Sequence, residues 1–209
     1  LICMDLYKTI NIIIPCITLG VSLFTPGVSL ECDRMFRLIL SLSVITEILG
    51  ALFQNEFQDI NNITYNIYIL LLFLSYFYLY FLLNKKNLSR GLLNAGLFIA
   101  VWIGEWIYLR NLQLTYFFFA YSAGTLLLLS NVYVYITDRL NAPDIADIER
   151  SRYFWISIGI LVFYIPFLPV FLGVKYALID MLVFRGIVLL LQLLMHASYI
   201  VGIRWGNRI

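Results

Sequence analysis

Six side chains in this 209-residue sequence have a type and a position from which chemistry could follow: Glu47, Glu105, Arg185, Gln192, His196 and Tyr199. All six fall inside long apolar runs. A carboxylate, guanidinium or imidazole surrounded by hydrocarbon is expensive, and it persists where it is paired, hydrogen-bonded or used. Arg185, Gln192, His196 and Tyr199 are spaced by seven, four and three residues, which puts them on one face of a helix. Glu47 and Glu105 come six and four residues before the ends of their own runs, about 9 Å and about 6 Å of helix at the usual rise. Two chemistries fit. Arg185 pairs with one of the two glutamates while Gln192 and His196 bond to neighbouring helices and fix their register. Alternatively, the same groups line a ligand pocket or a proton path. Glu47, the deeper acid, is the sharper candidate.

Other chemistries are poorly supplied. One histidine is too few for an intramembrane zinc hydrolase, and no His/Cys/Asp cluster has metal-ligand spacing. G-x-S-x-G, H-E-x-x-H and P-loop patterns are missing. The seventh run has no lysine to carry a retinal Schiff base. Neither (E/D)-R-Y nor N-P-x-x-Y occurs where a receptor coupled to G proteins would have it. No catalytic residue, metal or cofactor is therefore expected, and a non-enzymatic role is favoured.

The elements that hold these residues follow from composition. Hydrophobic residues make up 62% and charged residues 12% of the chain, about half the charged share of a soluble domain. A soluble fold could not cover that much apolar surface, so the lipid bilayer is the expected solvent. A net charge of +2 gives no reason to expect nucleic acid. Crossing a bilayer takes about 20 mostly apolar residues in a helix. Seven stretches qualify: 6–24, 36–53, 63–83, 92–109, 116–136, 153–172 and 177–203. They are apolar all round, unlike the alternating strands of a barrel. The expected fold is a single all-α domain, a bundle of seven transmembrane helices. The first stretch is expected to be a retained helix, because no small-x-small cleavage site follows it.

Basic residues orient the bundle. Arg34, Arg37, Lys85, Lys86, Arg90, Arg139, Arg150, Arg152, Arg204 and Arg208 fall to one face, against Lys8, Arg110 and Lys175 on the other. The positive-inside bias places the N-terminus outside and the C-terminus in the cytoplasm. Trp102, Trp106 and Tyr108 at one end of the fourth span, with Tyr153, Trp155 and Trp205 at inner ends, read as interfacial belts. Gly96, Ala100 and Gly104 recur every four residues and predict a close helix–helix seam. Pro15, Pro166 and Pro169 predict kinks. Asn141, Pro143 and Asp144 predict a turn that opens a short interfacial helix. Cys3, Cys16 and Cys32 are expected to be unpaired thiols.

Three stretches, LSVITEIL around Glu47, NNITYNIY opening the third span and RYFWISIGILVFY opening the sixth, resemble a group of small uncharacterised bacterial seven-helix integral membrane proteins. Members of that group often occur beside sensor histidine kinases. The resemblance implies an inner (plasma) membrane location and a membrane-bound partner such as a sensor kinase. The matching positions are Glu47 and the Phe154–Trp155 pair. With short loops and no soluble output domain between the spans, the expected role is that of a sensor or signalling partner. The alternative is a small-solute or proton-coupled transporter with a polar path through the bundle.

Overall fold

The structure, a computed structural model, describes residues 2–25, 27, 29–53, 58–84, 88–109, 116–141, 148 and 150–206, with backbone only at 2–6, 8, 58–60 and 88. Lys85, Lys86, Arg110, Pro143, Asp144 and Arg208 lie outside the described residues, as does the side chain of Cys3. The described residues form seven α-helices and no strand: α1 (Ile2–Phe24), α2 (Leu30–Phe53), α3 (Gln58–Leu83), α4 (Leu88–Leu109), α5 (Phe118–Leu140), α6 (Arg152–Lys175) and α7 (Met181–Trp205). Six of them, α2 to α7, are long and apolar enough to cross a membrane, whereas the apolar part of α1 is the shorter Thr9–Phe24. Helices satisfy their own backbone polar groups, and lipid offers no substitute partner.

Several helices extend past the apolar runs that announce them, and polar caps explain where they stop. The chain enters α2 six residues before the apolar run, because the Asp33 carboxylate accepts the Ser29 amide at 3.0 Å while the Asp33 amide bonds back to Ser29 O. That return contact resembles a capping box and satisfies amides at the helix start. Arg34 and Arg37 therefore ride on α2 and not in a loop. α7 begins at Met181 and not at 177, since Asp180 is its N-cap and accepts the Leu182 amide at 2.7 Å. Ala177 instead sits in the left-handed region, with φ at 55°, and closes α6. There the Leu178 and Ile179 amides both reach Gly173 O. α1 and α6 continue through Pro15, Pro166 and Pro169 as single helices.

The chain divides into two compact units, one of Leu1–Val28 with Val132–Ile209 and one of Ser29–Asn131, so the boundary falls within α5. In the Ser29–Asn131 unit, α3 packs on both α2 and α4. Its centre is aromatic: Phe73 meets Phe98 and Tyr121 with ring centroids 5.3 and 5.5 Å apart, and Phe77 meets Phe98 at 5.6 Å. Gly124 of α5 lets Phe73 lie where a Cβ would be, 2.7 Å from the ring. In the other unit α7 packs on α6 and on α1. Gly159 and Gly202 permit that approach: a Cβ on either would meet a backbone carbonyl of the facing helix, Met195 O or Arg152 O, within 2.9 Å. Small residues at such contacts let helix backbones come together without a hydrophobic push from lipid.

The Gly96, Ala100, Gly104 face, expected to be a packing seam, meets no neighbour among the described residues of its own unit. Nothing stands within 4 Å of a Cβ at Gly96 or Gly104, and all three residues are exposed. α4 turns the opposite stripe inward, with Asn94, Phe98, Trp102 and Glu105 buried. The polar members of that stripe find partners there, and partners decide the rotation of a helix that is apolar all round. Trp102 is accordingly a core residue and not part of a belt, while Trp106 and Tyr108 remain exposed. Tyr153 is likewise buried.

Candidate functional site

Glu105 is a helix anchor. Its two carboxylate oxygens accept the Phe119 amide at 3.1 Å and the Ala120 amide at 2.6 Å, both in the first turn of α5. Those amides have no intrahelical partner, and the helix dipole favours a negative charge at that end. The residue sits on α4, so the contact also ties two helices together. Beside it, Asn66 accepts the Phe117 amide through Oδ1 at 2.9 Å and receives Trp102 Nε1 on its main-chain oxygen at 3.2 Å. These hydrogen bonds tie α3, α4 and the start of α5 together at this end.

Glu47 stands differently. It lies on the same face of α2 as Ser43, one turn away, and that face meets α3. Ser43 Oγ and Tyr68 Oη are 3.0 Å apart, and the Glu47 carboxylate is within electrostatic reach of the Tyr68 hydroxyl. A turn further on, Gly50 is approached so closely by the Tyr65 hydroxyl that a Cβ would lie 2.5 Å from it. Tyr65 in turn stacks edge-on with Tyr116 at 5.7 Å, and Asn61 reaches the Tyr116 hydroxyl at 3.4 Å. Glu47 is part-buried, and no hydrogen bond or ion pair engages its carboxylate among the described residues. It is a carboxyl group near Tyr68 that engages no partner among the described residues.

The polar face expected on α7 is present and meets α1. His196 Nδ1 is 2.9 Å from Thr18 Oγ1, and both residues are buried. Thr18 gives its single hydroxyl proton to Ile14 O at 3.1 Å, so the imidazole donates from Nδ1 and Nε2 keeps its lone pair. Tyr199 packs edge-on against His196 at 5.5 Å and fills the notch at Gly159. Arg185 lies 5.9 Å over the Tyr7 ring, a cation–π distance, with no ion-pair partner among the described residues. Gln192 Oε1 is buried without a hydrogen bond. Arg185, Gln192, His196 and Tyr199 thus share one helix face, whereas Glu47 and Glu105 belong to the other compact unit.

Several polar residues that matter carry no charge, and neither charge nor apolar length singles them out in the sequence. Asn131 is the hub of an asparagine cluster: its Oδ1 accepts Asn94 Nδ2 at 2.8 Å and its main-chain oxygen accepts Asn84 Nδ2 at 3.3 Å. Asn11 and Thr18, with Ser22, form a buried polar stripe on α1. Their spacing of seven and four residues was the signal, readable by the same periodicity as on α7. Arg152, expected at an inner loop, is buried at the start of α6, where its guanidinium reaches Ile203 O near the end of α7 at 3.5 Å. No protein-family model matches the sequence, and no curated protein or solved structure is significantly similar to it, so its function rests on this geometry.

Proposed function

We propose that the chain is a non-enzymatic sensor or signalling partner of a bacterial inner membrane, with seven spans, its N-terminus outside and its C-terminus cytoplasmic. It perceives a ligand or a chemical change at Glu47 and acts through a membrane-bound partner such as a sensor kinase. The observation that carries this reading is the carboxyl group of Glu47 near the Ser43–Tyr68 pair, which engages no partner among the described residues. Glu105 is consumed in holding α5, so of the two acids only Glu47 is left to respond to something else.

Two further features support it. Arg34, Arg90 and Arg152 stand at N-terminal ends of helices, where the dipole disfavours cations; the positive-inside rule accounts for them better than capping does. The open Gly96, Ala100, Gly104 face of α4 leaves room for a partner helix to come close.

Transport is the second reading, and the polar face of α7 from Arg185 to Tyr199 is what favours it. One experiment separates the two. Membrane vesicles holding the partner kinase should change its autophosphorylation when the wild-type chain is present, and Glu47→Gln at equal abundance should remove that change. Proteoliposomes with a pH-sensitive dye should show no flux attributable to the chain. A proton flux lost in Glu47→Gln would replace the sensor with a transporter.

A further inference from the structure

We infer that the seam between α1 and α7 is a binding site for a small zwitterion of the amino-acid class, its ammonium held by Asn11 and Gln192 and its carboxylate by Arg185. This site is separate from Glu47 and does not depend on the role proposed for it.

Two contacts fix the seam. Tyr7 meets Arg185 and Thr18 meets His196, and both pairs have the same sequence separation of 178 residues. The two helices therefore run parallel in constant register. Between the contacts, Asn11 falls on the Tyr7–Thr18 face of α1 and Gln192 on the Arg185–His196 face of α7. Along the axis, Asn11 is about 6 Å beyond Tyr7 and Gln192 about 10 Å beyond Arg185. Helical side chains lean towards the N-terminus, which carries the long Gln192 side chain back towards the level of Asn11.

Two oxygens in the seam lack a donor. Asn11 Oδ1 and Gln192 Oε1 are both buried with no hydrogen-bond partner among the described residues. Pro15 lies one turn after Asn11 inside α1, and it has no N–H to give to the Asn11 main-chain carbonyl. Thr18 and His196 cannot help, because their protons are already committed to Ile14 O and Thr18 Oγ1. A bare acceptor in this setting is costly, and an ammonium offers three N–H groups to satisfy such oxygens.

Arg185 supplies the opposite requirement. Its guanidinium faces only the Tyr7 ring among the described residues, and an intramembrane arginine calls for an anion. A carboxylate meets it with two charge-assisted hydrogen bonds. A bare metal ion would find the oxygens but would be repelled by the guanidinium. The described carboxylate nearest in sequence, Asp180, already accepts the Leu182 amide. Water would serve the oxygens and leave the arginine unmatched. A zwitterion serves both.

The test is thermal unfolding of the purified full chain in nanodiscs, with each of the common amino acids at millimolar concentration. Trimethylglycine, which has the carboxylate but no N–H, and methylammonium, which has no carboxylate, are the controls. At least one amino acid should raise the midpoint in a saturable way, and neither control should. Gln192→Met and Arg185→Met should each weaken the saturation constant by roughly tenfold or more. Gln192→Met also removes a buried orphan oxygen, so it should unfold no earlier than the wild type without ligand; should it fail to fold, Asn11→Leu carries the same comparison. No shift with any amino acid, a shift retained in Gln192→Met, or an equal shift with trimethylglycine would overturn the site.

Discussion

Glu105 Oε2 accepts the Ala120 amide at 2.6 Å across two helices. A side chain from α4 thereby performs the capping that a residue at the start of α5 would ordinarily perform. Removing both acceptors leaves two helix-start amides unpaired, which places the cost of Glu105→Ala at about 2–6 kcal/mol. Glu105→Gln keeps one acceptor but turns an amide donor on the helix start, so it should fall between wild type and alanine. Equilibrium unfolding in mixed micelles measures the order. Equal stability of all three would mean that water caps α5 and the carboxylate is idle.

Gly124 and Gly104 should respond in opposite ways to the same added methyl. A Cβ at Gly124 would press on the Phe73 ring, whereas Gly104 faces open space. Gly124→Ala is expected to cost about 1–3 kcal/mol through overpacking. Gly104→Ala should be neutral or stabilise slightly, since alanine is the better helix former by about 1 kcal/mol. Losses of similar size in the same unfolding assay would show that the α4 face is packed after all.

The seven helices were legible in the sequence from apolar length, although only six are long and apolar enough to cross a membrane, and the polar stripe on α7 was legible because its spacing is periodic. Helix rotation was not legible. A span such as α4 is apolar on every side, so its orientation depends on which few polar atoms find partners: Asn94 on Asn131, Trp102 on Asn66, Glu105 on α5. Those partners are separated in sequence, and two of them are asparagines, whose lack of charge gives no sign of the role. The Gly-x-x-x-Ala-x-x-x-Gly pattern records room for a neighbour without naming it, and no described residue of the same unit fills that room.

Ala177 holds φ at 55° where glycine is the usual occupant. The left-handed conformation costs a residue with a Cβ about 1–2 kcal/mol. Glycine escapes that cost but gains freedom when unfolded, so Ala177→Gly should stabilise by roughly 1 kcal/mol. A higher thermal midpoint with an unchanged circular dichroism spectrum is the expected result, and a lower midpoint would contradict it.

Orientation can be tested with alkaline phosphatase and green fluorescent protein fusions. Joined after Asn84 or Gly206, the fluorescent reporter should mature and the phosphatase should be inactive. Joined after Phe53, the phosphatase should be active. Phosphatase activity after Asn84 would invert every span and move Glu47 to the cytoplasmic half.

The contact between Thr18 and His196 gives the last test, because its two members fail differently. Thr18→Val keeps the shape but leaves the His196 Nδ1–H, 2.9 Å away, without an acceptor. His196→Leu removes the imidazole and leaves Thr18 still bonded to Ile14 O. The threonine change should therefore cost as much as the histidine change despite removing fewer atoms, with the unpaired N–H adding about 1–3 kcal/mol. The double variant has no orphan, so its loss should be smaller than the sum of the two. Interhelical hydrogen bonds in membranes average about 0.6 kcal/mol, and a coupling above that value would mark this as one of the stronger ones. Strict additivity in the cycle would mean that the two groups do not meet, and the parallel register of α1 and α7 would lose one of its two supports.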